Sequence, residues 1–583
     1  MKRIIIYILP IVLMTACVEN LDDWNVDQKK ASAVPPRTLF TNALKGITDI
    51  VTTPNVNSNN FRMFVQYWAT TTYLDEPRYN MTARTYSQSQ WYAAYRDALN
   101  DLAEAKRLIT EDELLDVDVK ANQLALVEIM EVYCWNFLLN TFGDVPYTSA
   151  LDSENLLPEY EDAATIFDDL LVRLDAAMGS IKPSAGTFTN GADVIYGGSA
   201  SKWLLFGNSL KLKMGMLLAD VNPSKSKTLV EQAAAGGVIT TNDNVAAFPY
   251  ISAPPNNNPI SANLNKQFTS REDFVVASTI VDAMNERNDP RSQFYFTDEN
   301  GLFIGGKYGF ANTYGNFSHV SAKIIDPTFE GILIDASEVE FLLAEAVERG
   351  YSVGGSAEDH YKSAITLSMT YWGVEEGDSK AQKAVIAGIG DGGAGYSVGD
   401  TLRLSLGDPA IAAADPTKPV GVASDTTTVT VTTVDDDGAI TAVDILDEGK
   451  YSIRPNTYTL TVTGGTGTKA ELNVYYDGGY STYLEDPKVA YATAAGNWKQ
   501  KIGTQKWIAL NNRGWESWVE WRRLDQPVLA PPSGPGVTGT LYIPKRMIYP
   551  VIEQTVNGDQ WSAAAARFNS DSPDAPLFWD VIN

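Results

Sequence analysis

The sequence predicts a mainly α protein, one large body of helix pairs interrupted by a small all-β insert. Three observations carry this. Apolar residues recur at helical spacing through much of 39–372 and again after 487. Between Trp372 and Trp498 there is no tryptophan, and Thr, Val, Gly and Asp take over from about Gly388. Inside that stretch apolar residues alternate with polar ones, the period of a strand.

The first stretch stands apart from the body. Lys2 and Arg3 precede the apolar run Ile4–Met14, broken only by Pro10, and then come Thr15, Ala16 and Cys17. That order is a secretory signal, too short for a permanent membrane span. With a cysteine at the cut it resembles a bacterial lipoprotein signal, although Met14 stands where Leu is commoner. The resemblance implies removal of 1–16 and acylation of Cys17; an ordinary secretory signal with a chance cysteine is the alternative. Residues 17–36 then form a lipidated tether, with Glu19, Asp22, Asp23 and Asp27 close behind the anchor.

The body follows. Leu39, Phe40, Ala43, Leu44, Ile47, Ile50 and Val51 predict a helix, and Phe61–Thr71 a second. Residues 72–87 are rich in aromatics without periodicity and read as a loop, either ligand-holding or packed onto the body. Gln90–Ile109 is amphipathic, with Trp91, Tyr95, Leu99 and Leu102 on one side. Asp118–Thr141 is another helix, stopped by Gly143 and extended at Pro146. Helices follow at 162–178, 200–219, 273–286, 335–350 and 357–372. Ser337 with Glu340 predicts a capping box. Trp203, Phe206, Gly207 and Leu210 loosely fit the first half of a tetratricopeptide repeat. Ala163, Phe167 and Leu170 fit the spacing of its second half, as do Ala357, Tyr361 and Ala364. The segment 301–320 is a Gly- and aromatic-rich loop.

In the insert, 427–443 reads as a hairpin turning at Asp437-Gly438, and 458–476 as another turning at GGTGT. AGYSVGD (394–400) and EGKYSIRP (448–455) resemble a Gly-Tyr element of some bacterial surface and phage tail proteins. Helical patterning resumes at 487–510.

Composition excludes several functions. A net charge of −27 argues against nucleic acid and against a basic membrane-surface patch. Nor does any other apolar run reach membrane-spanning length. With Cys17 acylated, Cys134 has no disulfide partner and reads as a small buried hydrophobe. The two histidines, His319 and His360, leave little for a nucleophilic triad, and no HExxH or multi-histidine metal site is present. DDDG (435–438) lacks the spaced ligands of a calcium loop and reads as a turn. Neither a metal nor a cofactor is expected. A carboxylate pair for glycoside hydrolysis is not marked, but 72 acidic residues leave it open.

Four segments together resemble the SusD/RagB family of nutrient-binding outer-membrane lipoproteins of Bacteroidetes, in its SusD-like branch. They are LVEIMEVYCWNFLLNTFGDVPYTSAL (126–151), ILIDASEVEFLLAEAVERGY (332–351) with its partner helix 357–374, QKWIALNNRGWESWVEWRRLDQPVL (505–529) and YIPKRMIYPVIEQTVN (542–557). The resemblance implies an α-rich SusD-like fold with tetratricopeptide-like helix pairs, formed by 37–388 together with 479–583 and interrupted by a β-rich domain at 389–478. It implies no catalysis. It implies capture of an oligosaccharide, or a peptide in some members, and delivery to a SusC-like TonB-dependent transporter. Contact with the outer membrane is expected through the lipid anchor alone. The acidic stretch after Cys17 resembles the phylum's export signal to the cell exterior. A surface glycoside hydrolase and an adhesive or structural lipoprotein are the competing readings.

Sugars present apolar C–H faces and many hydroxyls, so a site needs aromatic platforms beside amide, carboxylate and guanidinium groups. The two loops supply them. The ligand-binding candidates are Tyr73, Asp75, Arg78, Tyr79, Asn80 and Trp91 from the stretch 72–92, and Tyr308, Asn312, Tyr314 and Phe317 from the loop 301–320. Trp91 also fits a buried helix face. His319, at the end of the second loop, is a further contact candidate.

Overall fold

The computed structural model describes residues 34–189, 191–299, 302–377, 383–404, 427–447, 458–477, 479–538 and 541–581. The signal 1–16, Cys17, most of the tether and the 448–455 copy of the Gly-Tyr element lie outside the described residues.

Helix α1 (Pro36–Thr52) opens with proline, whose missing N–H is an orphan at that position anyway, and buries Phe40, Ala43, Leu44, Ile47 and Val51. The helix expected over 61–71 is cut to Phe61–Phe64. Gln66 takes a φ of 56° and breaks it, and Trp68–Thr70 run on as strand β1. The next helical stretch starts at Tyr86, passes through a π-helical run at Ala93–Leu99 and continues as α2 (Asn100–Glu111).

Helix α3 (Val117–Phe142) is the axis of the body. Asp116 caps it, accepting from the Asp118 and Val119 amides at 3.1 Å each. From Leu126 on almost every side chain is buried, as expected of a helix apolar all round. It stops at Gly143, whose φ is 88°; a Cβ there would lie 2.6 Å from the Phe568 ring. Cys134 is wholly buried on α3, and burial pushes its thiol up, so it is unreactive filling. Helices α4 (Ala163–Ser180), α5 (Ala200–Leu217) and α6 (Pro223–Gly236) pack in succession beside it.

The helix expected over 273–286 begins as a strand. Strand β2 (Phe274–Val276) pairs antiparallel with β1, Trp68 opposite Val276 and Thr70 opposite Phe274, and helix resumes only at Ser278.

Helices α7 (Ala336–Glu348) and α8 (Ala357–Trp372) form the hairpin seen in the sequence, but the cap differs. Asp335 caps α7, accepting from the Glu338 amide at 2.7 Å, because the chain is still extended there. Ser337 donates instead to the Ala364 carbonyl at 2.8 Å, tying the two helices.

Glu340 pairs with His360. Nδ1 of His360 lies 2.6 Å from Glu340 Oε2, and Nε2 lies 3.0 Å from the Gly354 carbonyl. Both partners are acceptors, so the arrangement is complete only when both ring nitrogens carry protons. The Glu340 bond raises the histidine pKa, burial opposes it, and Gly354, Glu340 and Asp359 add to the rise. A raised folded pKa stabilises below the unfolded value of about 6.5 and fades as pH climbs through the folded one. His360→Asn should therefore cost more stability at pH ~6 than at pH ~9. Equal losses in denaturant unfolding at the two pH values would exclude a protonated clamp.

The β insert has a hydrophobic cluster of its own, including Leu402, Val429, Val431, Ile440, Leu472 and Val474. Its strands are β3 (Lys383–Asp391), β4 (Thr401–Leu404), β5 (Thr428–Val434), β6 (Ile440–Asp447), β7 (Tyr458–Gly464) and β8 (Glu471–Asp477). They form one antiparallel sheet in the order β6-β5-β4-β7-β8-β3. Both hairpins form, with Ile440 opposite Val434 and Tyr458 opposite Val474. The entering and leaving strands pair from Lys383–Asp477 to Asp391–Glu471, so the insert stands on a two-stranded stem. The sheet curls until the Ile440 amide reaches the Gly392 carbonyl at 2.9 Å, nearly closing a barrel and covering its edges.

Helices α9 (Trp498–Ala509) and α10 (Gly514–Leu524) return the chain to the body after the insert. A capping box of Asn497 and Gln500 starts α9. Trp507, Trp515 and Trp518 are core, and Trp521 is partly buried against it.

Candidate ligand-binding surface

The two loops singled out by composition meet in space, and the small β1–β2 sheet brings them together. Strand β1 feeds directly into the first loop. Strand β2 bonds to the second: the Gly306 amide donates to Val276 O at 2.8 Å, and the Val276 amide to Ser318 O at 3.0 Å. A Cβ on Gly305 would lie 2.4 Å from the Ser278 Cα, so the close approach needs glycine.

Asn312 staples the second loop. Its Nδ2 donates to Thr70 O at 3.0 Å, Lys307 O at 3.1 Å and Phe310 O at 2.7 Å, and its Oδ1 accepts from the Lys307 amide at 2.8 Å. Arg78 bridges outward. Nε donates to Gly309 O at 3.0 Å, and Nη1 to Gly536 O at 2.8 Å, joining a third, Pro- and Gly-rich segment.

Four of the ten candidates, Tyr79, Trp91, Tyr308 and Asn312, are buried and present almost no surface to solvent. Trp91 is only 6% exposed. It packs on Tyr95, Phe142, Tyr160 and Tyr549, with centroids 4.9 to 6.2 Å away, as the apolar face of its helix requires. Tyr308 is buried and donates to Met63 O at 2.5 Å. The Tyr79 ring lies 6.5 Å from it, and burial pushes the Tyr79 phenol up to about 12. Asn312 is the staple. These four shape the surface from beneath.

The other six face solvent at least partly. Tyr73 is 47% exposed, with the Arg84 guanidinium 5.2 Å from its ring centre and Arg84 itself held by Glu76 at 2.8 Å. Asp75 accepts from Asn80 Nδ2 at 2.9 Å, which fixes both polar side chains. Arg78 is half-buried. The Tyr314 ring lies tilted against His319, centroids 3.9 Å apart, with Lys266 5.1 Å from its ring, and Phe317 is partly packed against the core.

Sequence reasoning missed Phe310 and the segment 530–538. The half-buried Phe310 ring carries Lys307 Nζ at 3.9 Å and Arg78 at 5.8 Å, a flat apolar face edged by cations. Gly309 lies so close to Pro532 that a Cβ would come within 2.4 Å of it. The signal was the run PPSGPG at 531–536, a loop composition whose spatial partner no local pattern reveals.

A family described as starch-binding and associating with the outer membrane matches residues 28–393 and 465–550. The chain belongs to the SusD-like family. It is a binding family, not a catalytic one. The match leaves out 394–464, which falls within the β insert. Among curated proteins there is no match. Solved structures share the fold at low identity. A chitin-binding protein superposes with a TM-score of 0.66 at 19% identity, over 94% of this chain and 100% of its own. A Bacteroidetes SusD-like protein gives 0.67 at 19%, over 94% and 100%. A chitin-binding SusD homolog from Flavobacterium johnsoniae gives 0.60 at 20%, over 93% and 99%. No helix among the described residues is long and apolar enough to cross a membrane.

Proposed function

We propose that this SusD-like protein is a lipid-anchored outer-membrane protein, acylated at Cys17, that captures an oligosaccharide outside the cell. It hands the ligand to a SusC-like TonB-dependent transporter. The observation that carries the capture reading is the meeting of the aromatic loops through Arg78 and the β1–β2 sheet. Tyr73, Phe310 and Tyr314 supply ring faces; Asp75, Arg78 and Asn80 supply donors and acceptors at fixed positions. Their mutual bonds hold these groups before ligand arrives, which lowers the ordering cost of binding. The starch-binding description of the family and the chitin-binding names of two relatives support a glucan-type or N-acetylated ligand. The β insert, 389–478, is read as an inserted domain outside the capture surface.

The test is calorimetric titration of the chain beginning at residue 18 with maltohexaose and chitohexaose. Tyr73→Ala and Phe310→Ala should each weaken binding about tenfold, about 1.4 kcal/mol, with no change in the unfolding midpoint. Binding that survives both changes would move the site elsewhere, and silence toward every saccharide tried would remove the glycan reading.

A further inference from the structure

A second built cavity lies on the helical body, apart from the loops. It is an open cleft of about 380 Å³ between α2, α3, α4 and the segment 147–151. That volume falls in the range of small-ligand pockets, about 300–1,000 Å³. The holes beside Asn60, Trp372 and Asn511, at about 10 to 20 Å³, hold no more than about one water each. The cleft shares no lining residue with the loop surface.

Its walls are of two kinds. Leu99, Trp135, Tyr147, Ala150 and Leu151 make an apolar side, with Trp135 and Tyr147 edge to face at 4.9 Å. Lys106, Glu131, Asp169 and Arg173 make a polar side. Lys106 Nζ reaches Glu131 at 3.0 Å and also Glu128. Arg173 pairs with Glu128 and Glu131 and donates to the Tyr147 hydroxyl at 2.7 Å; that hydroxyl donates to Asp169.

The network fixes these groups yet leaves hydrogen-bonding capacity over. Lys106 has three donors and spends two here; Arg173 has five and spends three. Asp169 Oδ1 and Glu131 Oε1 accept from no described group in this network. Donors and acceptors thus alternate around one rim. Two cations face two carboxylates in the lining, and Glu128 behind them adds a third carboxylate, so an anionic ligand is disfavoured. A hydroxyl, which both donates and accepts, matches both.

We infer that the cleft is a second saccharide subsite, taking a neutral unit of roughly one or two rings whose C–H face lies toward Tyr147 and Leu151. It rests on the glycan reading above, extending it to a place the loops do not reach. A subsite on the helical body would let one chain hold a short end or branch of a glycan independently of the loop surface.

The experiment titrates the chain beginning at residue 18 with maltose and N,N′-diacetylchitobiose, then with the corresponding hexasaccharides. Two variants are compared. Leu151→Trp fills the cleft from its rim, where Leu151 is 42% exposed, without touching an ion pair. Asp169→Asn keeps shape and removes an exposed acceptor charge. Disaccharide affinity should fall at least tenfold in both, with unfolding midpoints unchanged. If disaccharides bind both variants as they bind wild type, or bind wild type not at all while hexasaccharides do, the cleft proposal is overturned and the loop reading stands. If no saccharide of either length binds, both fall together. Should Leu151→Trp fail to fold, Asp169→Asn alone decides.

Discussion

Arg523→Met is expected to lower stability by about 3–5 kcal/mol, because it strands two buried carboxylates. Arg523 is fully interior and holds both at once: its guanidinium donates to Glu345 at 2.5 Å and to Glu520 at 2.6 Å. Lys506 supports Glu520 at 2.7 Å, and Arg349 supports Glu345 at 2.8 Å, but neither replaces the planar fork that spans α7 and α10. Arg523→Lys should recover only part of the loss. Burial pushes Glu520 upward, yet Arg523 and Lys506 together hold it at about 2; Glu345 is likewise held below the usual carboxylate range. A depressed folded pKa stabilises above the unfolded value of about 4.3 and is lost as pH falls toward the folded one. The wild type should therefore weaken between about pH 4 and pH 2, and the variant over that range much less. Guanidinium unfolding at pH ~7 and ~3 measures both; a loss under about 1 kcal/mol at neutral pH would mean the cluster relaxes without Arg523. The consequence reaches the ligand surface. Helix α10 leads into the segment where Ala530 accepts from Gln66 at 2.7 Å and Gly536 from Arg78.

What was legible in the sequence follows from range. Helix α3 announced itself because a long apolar stretch closed by Gly143 is a local signal. The two β hairpins did so because alternation and a glycine turn are local too. The helix expected over 61–71 failed for a nonlocal reason: Trp68–Thr70 are extended by pairing with residues some two hundred positions on. The same pairing converted the start of the 273–286 helix. Ser337 and Glu340 had the spacing of a capping box, yet Ser337 found Ala364 and Glu340 found His360, partners that only the folded hairpin supplies. In the candidate surface, composition singles out two loops, and their proximity is a fact of the fold. It could not separate Tyr73 from Tyr79, six residues apart in one loop, since exposure depends on which ring Tyr308 and Phe64 lie beside. The cleft at Tyr147 was invisible for the same reason: its polar lining comes from three helices whose charges look, one at a time, like solvated faces.

Trp91→Ala is the change with the next largest expected effect, a loss of about 3–5 kcal/mol with binding by the folded protein left intact. The indole sits where four aromatic rings converge: Tyr95 from its own helical stretch, Phe142 from the end of α3, Tyr160, and Tyr549 from the C-terminal segment. Removing it opens a cavity at a junction of chain segments far apart in sequence. Tyr549 also donates to Asp144 O at 2.8 Å and Tyr160 to Glu553 at 2.8 Å, so the surrounding rings are anchored and cannot collapse inward. That rigidity places the cost near the upper end for an aromatic deletion. Trp91→Phe, which keeps the stack and loses less volume, should cost roughly half. Tyr73→Ala is the contrasting case: an exposed ring whose loss leaves the unfolding free energy within about 0.5 kcal/mol while weakening ligand binding. The pair separates support from contact. Should Trp91→Ala unfold like wild type and bind saccharide poorly, the indole would belong to the ligand surface after all, and the aromatic junction would have to open when ligand arrives.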